Sequence, residues 1–409
     1  MDLQDKLKYY QTERKGALPE KEHHHQEIAF MLEGTILEGD ALPIVKIEKF
    51  ERYSHFNPTI TNQNYLSVHL PLLTKKQFED PISLEDLLVF DLETTGLAGG
   101  TGTYPFLMGF GTFEKEGIRI YQYFLPEFGR EISVFLDMKA LWAEKNILLS
   151  YNGKSYDYPL LRNRLILNRV DNPFESYNHL DLLHLTRRLW KYALPSCSLD
   201  MIEERIFSFN RWRDIDGSLI PQAYFTFLQT GDTNDIKRIV DHNQQDIISL
   251  ARLLFYLHQV ENNEMNSGFP DRELVSMFNI AVNISDLGRI EPIIKSLAAK
   301  DKKLPNQSLK SYSLLLKRQK KWPQALEIWQ KFIEKGEEII FACEELAKFY
   351  EHREINIEQA IEYTNRAIDF LNIVKEIEAE GGSDDIRNRF GHRLNRLKDR
   401  LRKRIDRSG

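Results

Sequence analysis

Leu87-Leu88-Val89-Phe90-Asp91-Leu92-Glu93-Thr94-Thr95-Gly96-Leu97 is the stretch on which the reading of this chain turns. Its four leading apolar residues read as a buried strand, and that strand ends on two acids spaced i, i+2. Side chains two apart on a strand leave the same face, so Asp91 and Glu93 converge on one spot. Converging carboxylates repel each other and lose hydration at a strand end unless a cation lies between them. A hard divalent ion such as Mg²⁺ or Mn²⁺, held through oxygens, suits that position. The turn Thr94-Thr95-Gly96 adds small polar residues and a pliant backbone beside it. A bare D-x-E is also what a solvated strand end looks like, so the assignment needs partners further along the chain.

Outward from this strand, residues 81–260 read as one α/β unit. A Gly-rich loop, Gly99-Gly100-Thr101-Gly102-Thr103, leads to a second strand over Phe106–Phe113. Gly117 marks a hairpin, and Ile118–Phe124 is a third strand. A helix over Glu131–Lys145, a strand at Ile147–Tyr151, a helix over Tyr158–Arg169 with Pro159 in its first turn, and a fifth strand at His179–Leu183 follow. The last helix of the unit runs from about Thr233 to Leu257. Residues 1–80 form an N-terminal extension with a charged helical start and strand-like alternation over Ile44–Phe50, and no function can be assigned to it. Its run His23-His24-His25 has no carboxylate or cysteine at a ligand spacing and reads as a solvated loop or helix end.

From 268 to 385 the periodicity is helical throughout. Trp322-Pro323-Gln324-Ala325-Leu326-Glu327-Ile328 and Ile357-Glu358-Gln359-Ala360-Ile361-Glu362-Tyr363 match at a period of 35. Tetratricopeptide repeats recur at 34 residues, so these helices read as such an array with degenerate copies around 270–318. Residues 386–409 read as a basic amphipathic helix: Ile386–Ser408 carries ten Arg or Lys against two Asp, with an apolar stripe of Phe390, Leu394, Leu397, Leu401 and Ile405. Such a helix can ride a phosphate backbone, dock on an acidic partner or cap the array.

The bulk numbers set limits. The 409 residues suffice for two or three domains, and 42% apolar with 28% charged residues is ordinary for a globular protein. Two cysteines, Cys197 and Cys343, give neither a disulfide framework nor a zinc spacing and fit a reducing cytoplasm. No secretory signal and no run of 18 apolar residues is visible, so no membrane role is expected. The net charge of −6 does not by itself advertise a nucleic-acid binder.

Two further segments supply partners for the opening acids. Asp157, in Tyr151-Asn152-Gly153-Lys154-Ser155-Tyr156-Asp157-Tyr158-Pro159, follows a strand and opens a helix, where exposed amide dipoles favour an anion. His242 and Asp246, in Asp241-His242-Asn243-Gln244-Gln245-Asp246, stand i, i+4 on one side of an amphipathic helix. Alone, the first is an ordinary helix-start acid and the second an ordinary surface pair. In this order, Asp91, Glu93, Asp157 and Asp246 resemble the four acids of the DEDD exonuclease superfamily over residues 84–258. The motifs F-D-L-E-T-T-G-L, Y-N-x-x-x-Y-D-Y-P-L-L and H-N-x-x-D, with Leu97–Tyr104, look like the YprB-like branch of ribonuclease-H-like proteins of Gram-positive bacteria. That branch also carries C-terminal tetratricopeptide-like helices.

The resemblance implies an α/β ribonuclease-H-like exonuclease domain, with a mixed five-stranded sheet and flanking helices, followed by an all-α tetratricopeptide-like domain. It implies hydrolysis of phosphodiester bonds with two Mg²⁺ or Mn²⁺ ions, most directly a 3′–5′ exonuclease on single-stranded DNA or RNA. Asp91, Glu93 and Asp246 would hold one ion, and Asp91 with Asp157 the other. Relatives place Tyr four residues, or His five, before the last Asp to prepare the attacking water. Here His242 stands at the four-residue offset and Asp241 at five, so His242 is the candidate base. Thr94, Asn152 and Lys154 are substrate-binding candidates, Lys154 being otherwise a solvated loop cation. Asp181 reads as a structural acid, and Tyr104 and Tyr156 as core residues or stacking platforms. The Gly99–Thr103 loop lacks the phosphate-loop pattern, which rejects a nucleotide-triphosphatase. About 150 residues after 260 are too few for an attached polymerase. The competing expectation is a nucleic-acid-binding scaffold that has lost turnover and recruits a protein partner through its helical region.

Overall fold

The computed structural model describes residues 21–37, 43–56, 67–96, 102–129, 131–262, 271–377 and 384–405. Residues 97–101, which carry most of the Gly-rich loop, lie outside them, as do the first twenty residues. The chain divides into two compact units, Met1–Met277 and Phe278–Gly409.

The first unit opens with helix α1 (Lys21–Met31) and strands β1 (Thr35–Leu37) and β2 (Ile44–Arg52). Strands β3 (Leu87–Thr94), β4 (Pro105–Phe113) and β5 (Gly117–Phe124) follow, then α2 (Ile132–Ala143), β6 (Ile147–Ser150), α3 (Asp157–Leu167) and β7 (Asn178–Asp181). Helices α4 (Leu182–Trp190), α5 (Leu199–Arg205), α6 (Ile220–Thr230) and α7 (Asn234–Asn262) complete it. The seven strands form one mixed sheet in the order β1-β2-β5-β4-β3-β6-β7. β3 pairs antiparallel with β4 and parallel with β6.

Among the described residues the expected five-stranded sheet is therefore corrected to one of seven strands, and Ser67–Val68 pairs separately with Ile82–Ser83. The strand foreseen at Ile44–Phe50 belongs to this sheet: β2 pairs with β5 from Val45↔Phe124 to Arg52↔Gly117, and β1 extends it. Without β2, the outer backbone groups of β5 would be an open edge. Local alternation reveals such a strand but not its partner, which lies some 70 residues away. The histidine run also differs from expectation: it lies within α1, and His25 is buried, its Nε2 3.7 Å from Glu127.

The alternation of β3 decides where the acids face. Leu88, Phe90 and Leu92 join an apolar cluster with Phe135, Met138 and Trp142 of α2 and Leu161 of α3. Val89 and Asp91 take the opposite face, in register with Gly111 and Gly109 of β4. Those glycines let α7 lie directly on the sheet. A Cβ at 109 would stand 2.1 Å from Asn243 Oδ1, and one at 111 would stand 2.8 Å from Ile247 Cγ2. Close approach of α7 thus depends on two bare backbone positions beside the acidic strand.

The second unit is helical. α8 (Asp271–Asn283) spans the division, followed by α9 (Leu287–Ala299), α10 (Asn306–Arg318), α11 (Trp322–Lys335), α12 (Ile339–His352), α13 (Ile357–Ile377) and α14 (Asp384–Ile405). The two matching heptapeptides open α11 and α13, and Ala325 and Ala360, equivalent within them, are fully buried. Small residues there let neighbouring helices approach. The basic α14 is docked on its own unit. Arg393, Arg396 and Arg400 reach the buried Glu351 at 3.4, 2.8 and 3.0 Å, and Arg389 reaches Glu344 at 3.1 Å. Among the alternatives open for this helix, the acidic partner is α12. No helix among the described residues is long and apolar enough to cross a membrane.

Candidate metal centre

Three elements bring the acids together. β3 delivers Asp91 and Glu93, the start of α3 delivers Asp157, and α7 delivers His242 and Asp246. Glu93, His242 and Asp246 each offer a ligand atom within 4.8 Å of the others. His242 Nε2 lies 3.6 Å from Asp246 Oδ2 and 4.0 Å from Glu93 Oε1. Asp91 is held by Asn243, whose Nδ2 donates to its carboxylate at 2.8 Å and to its carbonyl at 3.2 Å. Asn243 is itself fixed by Gln122, which donates to its Oδ1 at 2.9 Å.

The electrostatics are those of a site short of positive charge. Burial, then repulsion from Asp246, Glu93 and Asp157, lifts Asp91 well above the ordinary carboxylate range, and the Asn243 hydrogen bond only moderates this. Burial pushes Glu93 up to about 8; His242 opposes this, while Asp246 and Asp157 add to it. Burial likewise pushes Asp157 up to about 7; its helix-start amide opposes, and Asp181 and Asp246 reinforce. For His242 burial disfavours charge, but Asp246, Glu93 and Asp214 outweigh it, and its pKa rises. Four carboxylates with one imidazole are hard oxygen and borderline nitrogen donors, so the residues fit a divalent ion.

A guanidinium that sequence reading missed also faces this site. Arg211 donates to Asp246, to Glu203 at 2.6 and 2.7 Å and to Asp214 at 3.2 Å. Asp214 lies 2.9 Å from His242 Nδ1. The tautomer assigned from that contact puts the proton on Nδ1, which turns Nε2 toward Glu93 and Asp246.

The secondary candidates separate. A hollow lined by Glu93, Thr94, Gly96, Tyr156, Asp157 and Ile220 lies on one side of the acids. Thr94 borders it, but its hydroxyl donates to Gly96 O at 2.9 Å. Asn152 and Lys154 line neither this hollow nor the one beside His242. Their backbone amides instead donate to Asp181, at 2.8 and 3.2 Å, and Asn152 takes a positive φ of 63°. Asp181 therefore shapes the loop that precedes Asp157. Tyr104 is buried, with its hydroxyl on the Gly129 backbone, whereas Tyr156 is exposed at the hollow.

Residues 88–258 match the family model RNase_H_2, of the RNase_H superfamily. This part of the chain is a ribonuclease-H-superfamily domain. The ribonuclease-H-like domain thus contains every residue described at the centre. The Bacillus subtilis (strain 168) protein named uncharacterized protein YprB is 28% identical over 300 residues, covering 72% of each chain. The family B DNA polymerase of the hyperthermophilic archaeon Pyrobaculum calidifontis aligns with a TM-score of 0.34 and 15% identity, over 57% of this chain and 29% of its own. The resemblance carried by the motifs holds at the level of the superfamily and of likeness to YprB.

Arg211 and Asp214 sit in an irregular segment of the ribonuclease-H-like domain, between α5 and α6, where no periodicity marks them. Asn243 had a signal, its place inside H-N-x-x-D. Its role as the tether of Asp91 follows only from the packing of α7 on Gly109.

Proposed function

We propose that this protein is a metal-dependent nuclease that hydrolyses phosphodiester bonds, acting as a 3′–5′ exonuclease on single-stranded DNA or RNA. The observation that carries this reading is the meeting of Asp91, Glu93, Asp157, His242 and Asp246 at one end of β3 with too little positive charge to neutralise them. Asp91, Glu93, Asp157 and Asp246 would hold Mg²⁺ or Mn²⁺, two ions in the fullest form. When bound, such ions supply an activated water and a clamp on the reacting phosphate. The chain's own residues do the rest. His242 Nε2 takes a proton from water, and Asp214 on Nδ1 fixes the tautomer that makes this possible. Asn243 keeps Asp91 aimed at the site, and Thr94 and Tyr156 border the hollow where a strand end would rest.

The helix pairs α11–α12 and α13–α14 serve as tetratricopeptide-like modules for a protein partner, and the protein works in the cytoplasm, with Cys197 and Cys343 as free thiols. A second reading, a binding scaffold without turnover, draws on the Arg211–Asp246 ion pair, which already supplies one ligand with a cation. The test is incubation with end-labelled single- and double-stranded DNA and RNA in Mg²⁺ or Mn²⁺, with Asp91→Ala in parallel. A ladder shortening from the 3′ end, lost in the variant, is expected. Equal degradation by both proteins, or by neither, overturns the nuclease reading in favour of the scaffold.

A further inference from the structure

A second hollow opens beside His242, and nothing in the function proposed above uses it. It measures about 470 Å³ against about 170 Å³ for the hollow at Glu93 and Asp157, within the roughly 300–1,000 Å³ range of small-molecule sites. Its wall includes His242, so it reaches the metal centre, and Trp212, Arg213, Lys237, Arg238 and Gln245 extend it away from there. The segment between α5 and α6 borders both hollows, through Arg211–Asp214 on this side and Gly217 on the other.

Three features of this wall point to a ligand with flat aromatic faces and negative charge. Trp212 is 86% exposed, while Trp142, Trp190 and Trp329 are at most 2% exposed. A lone exposed aromatic means little; this one stands at the mouth of a hollow that ends on a candidate catalytic imidazole. Arg213 lies 5.8 Å from the Trp212 ring, and the exposed Lys237 has no acidic partner among the described residues. Of the cations in this wall, Arg211 is paired with Glu203, Asp214 and Asp246, and Arg238 with Asp235 at 2.7 Å, which leaves Arg213 and Lys237 to meet a ligand's negative charge. The loop is also held in place. Arg213 has a left-handed φ of 57°, and Arg238 secures it by donating to the carbonyls of Arg213 at 3.3 Å and Asp214 at 2.8 Å. Backbone strain of this kind persists where surrounding contacts over-determine it, and it concentrates at ligand clamps.

We propose that this hollow is the track for the single-stranded nucleic acid that adjoins the scissile phosphate. Trp212 stacks on a base, and Arg213 and Lys237 meet the phosphates on either side of it. Stacking on one open indole face asks for an unpaired base, which selects single strands over duplex. The inference deepens the nuclease reading and rests on it for the position of the scissile bond.

Binding of 5′-fluorescein dT₁₂ and rU₁₂ to the full-length chain, by anisotropy in chelator, tests it without turnover. Trp212→Ala is expected to weaken binding about 5- to 150-fold, and Trp212→Phe to restore most of the loss. Lys237→Gln should lower the slope of log affinity against log salt by about 0.7. Both side chains are exposed, so unchanged melting temperatures are expected and exclude misfolding. The difference between dT₁₂ and rU₁₂ reads sugar preference. Wild-type affinity in Trp212→Ala, an unchanged salt slope in Lys237→Gln, or no oligonucleotide binding by the wild type each overturns the inference. A chain that cleaves without dependence on Trp212 sinks this track and leaves the nuclease reading standing. Trp212-dependent binding with no cleavage in any metal does the reverse.

Discussion

Replacing Gly109 by alanine is the sharpest test of how the metal centre is built. The added methyl would sit 2.1 Å from Asn243 Oδ1, 2.9 Å from its Cγ and 2.8 Å from Ile247 Cδ1. Carbon and oxygen ordinarily approach to about 3.3 Å, so Asn243 must retreat by about 1.2 Å. It has little room to do so, because Gln122 holds its Oδ1 at 2.9 Å and Asp91 holds its Nδ2 at 2.8 Å. Either α7 lifts from the sheet or the hydrogen bond to Asp91 breaks. Overpacking of this kind costs about 1–3 kcal/mol and an ordinary hydrogen bond about 0.5–1.5, with overlap between them. We expect a loss of about 3 kcal/mol, which for a unit of this size lowers the melting temperature by roughly 6–12 °C. Calorimetry in chelator measures it, with Gly217→Ala, where a Cβ meets nothing within 4 Å, as the control. Mn²⁺ affinity should fall as well. In a Gly109→Ala/Asn243→Ala double variant the clash with Asn243 disappears and only the contact with the flexible end of Ile247 at 2.8 Å remains, so the double should be only slightly less stable than Asn243→Ala alone. A melting temperature within about 1 °C of wild type, or strict additivity in the double variant, would refute the tight-approach account.

Four other outcomes follow from the same contacts. Glu93 titrates at about 8 and Asp157 at about 7 in the folded chain, against ordinary values of 4.5 and 3.8. The native state therefore keeps protons that the unfolded chain releases, and stability in chelator should decline as pH rises from about 4 to about 8. Glu93→Gln should flatten that decline and Mn²⁺ should reverse it; melting curves that fall equally in wild type and variant would count against the assignment. Arg211→Met strands Glu203, whose side chain is 2% exposed, and should cost about 3–5 kcal/mol by urea titration, partly regained with Glu203→Gln. Asp214→Asn removes one of the charges that raise His242, so the acid limb of a pH–rate profile should move to lower pH; a limb that stays in place excludes His242 as its source. Glu351→Gln withdraws the common partner of Arg393, Arg396 and Arg400, and limited trypsinolysis should then cut α14 faster than in wild type.

The candidate acids could be picked out because their signals are local. The i, i+2 spacing of Asp91 and Glu93 and the i, i+4 spacing of His242 and Asp246 fix shared faces through backbone geometry alone. Asn152 and Lys154 show the limit. They lie beside Asp157 in the chain, yet their amides turn to Asp181 and their side chains line neither hollow. Adjacency in sequence says little about direction in an irregular loop.

What the sequence determined by itself was the order of elements from β3 to β7 and the choice of candidate acids, because hydrophobic period and helix-start chemistry act over a few residues; it did not foresee α4, α5 and α6 between β7 and α7. Tertiary structure alone decided that β2 completes the sheet, that Gly109 and Gly111 admit α7, and that Arg211 and Asp214 stand against Asp246 and His242. Each of these joins segments tens of residues apart. Burial and charge pairing choose such neighbours only once the core has closed, and no local periodicity encodes them.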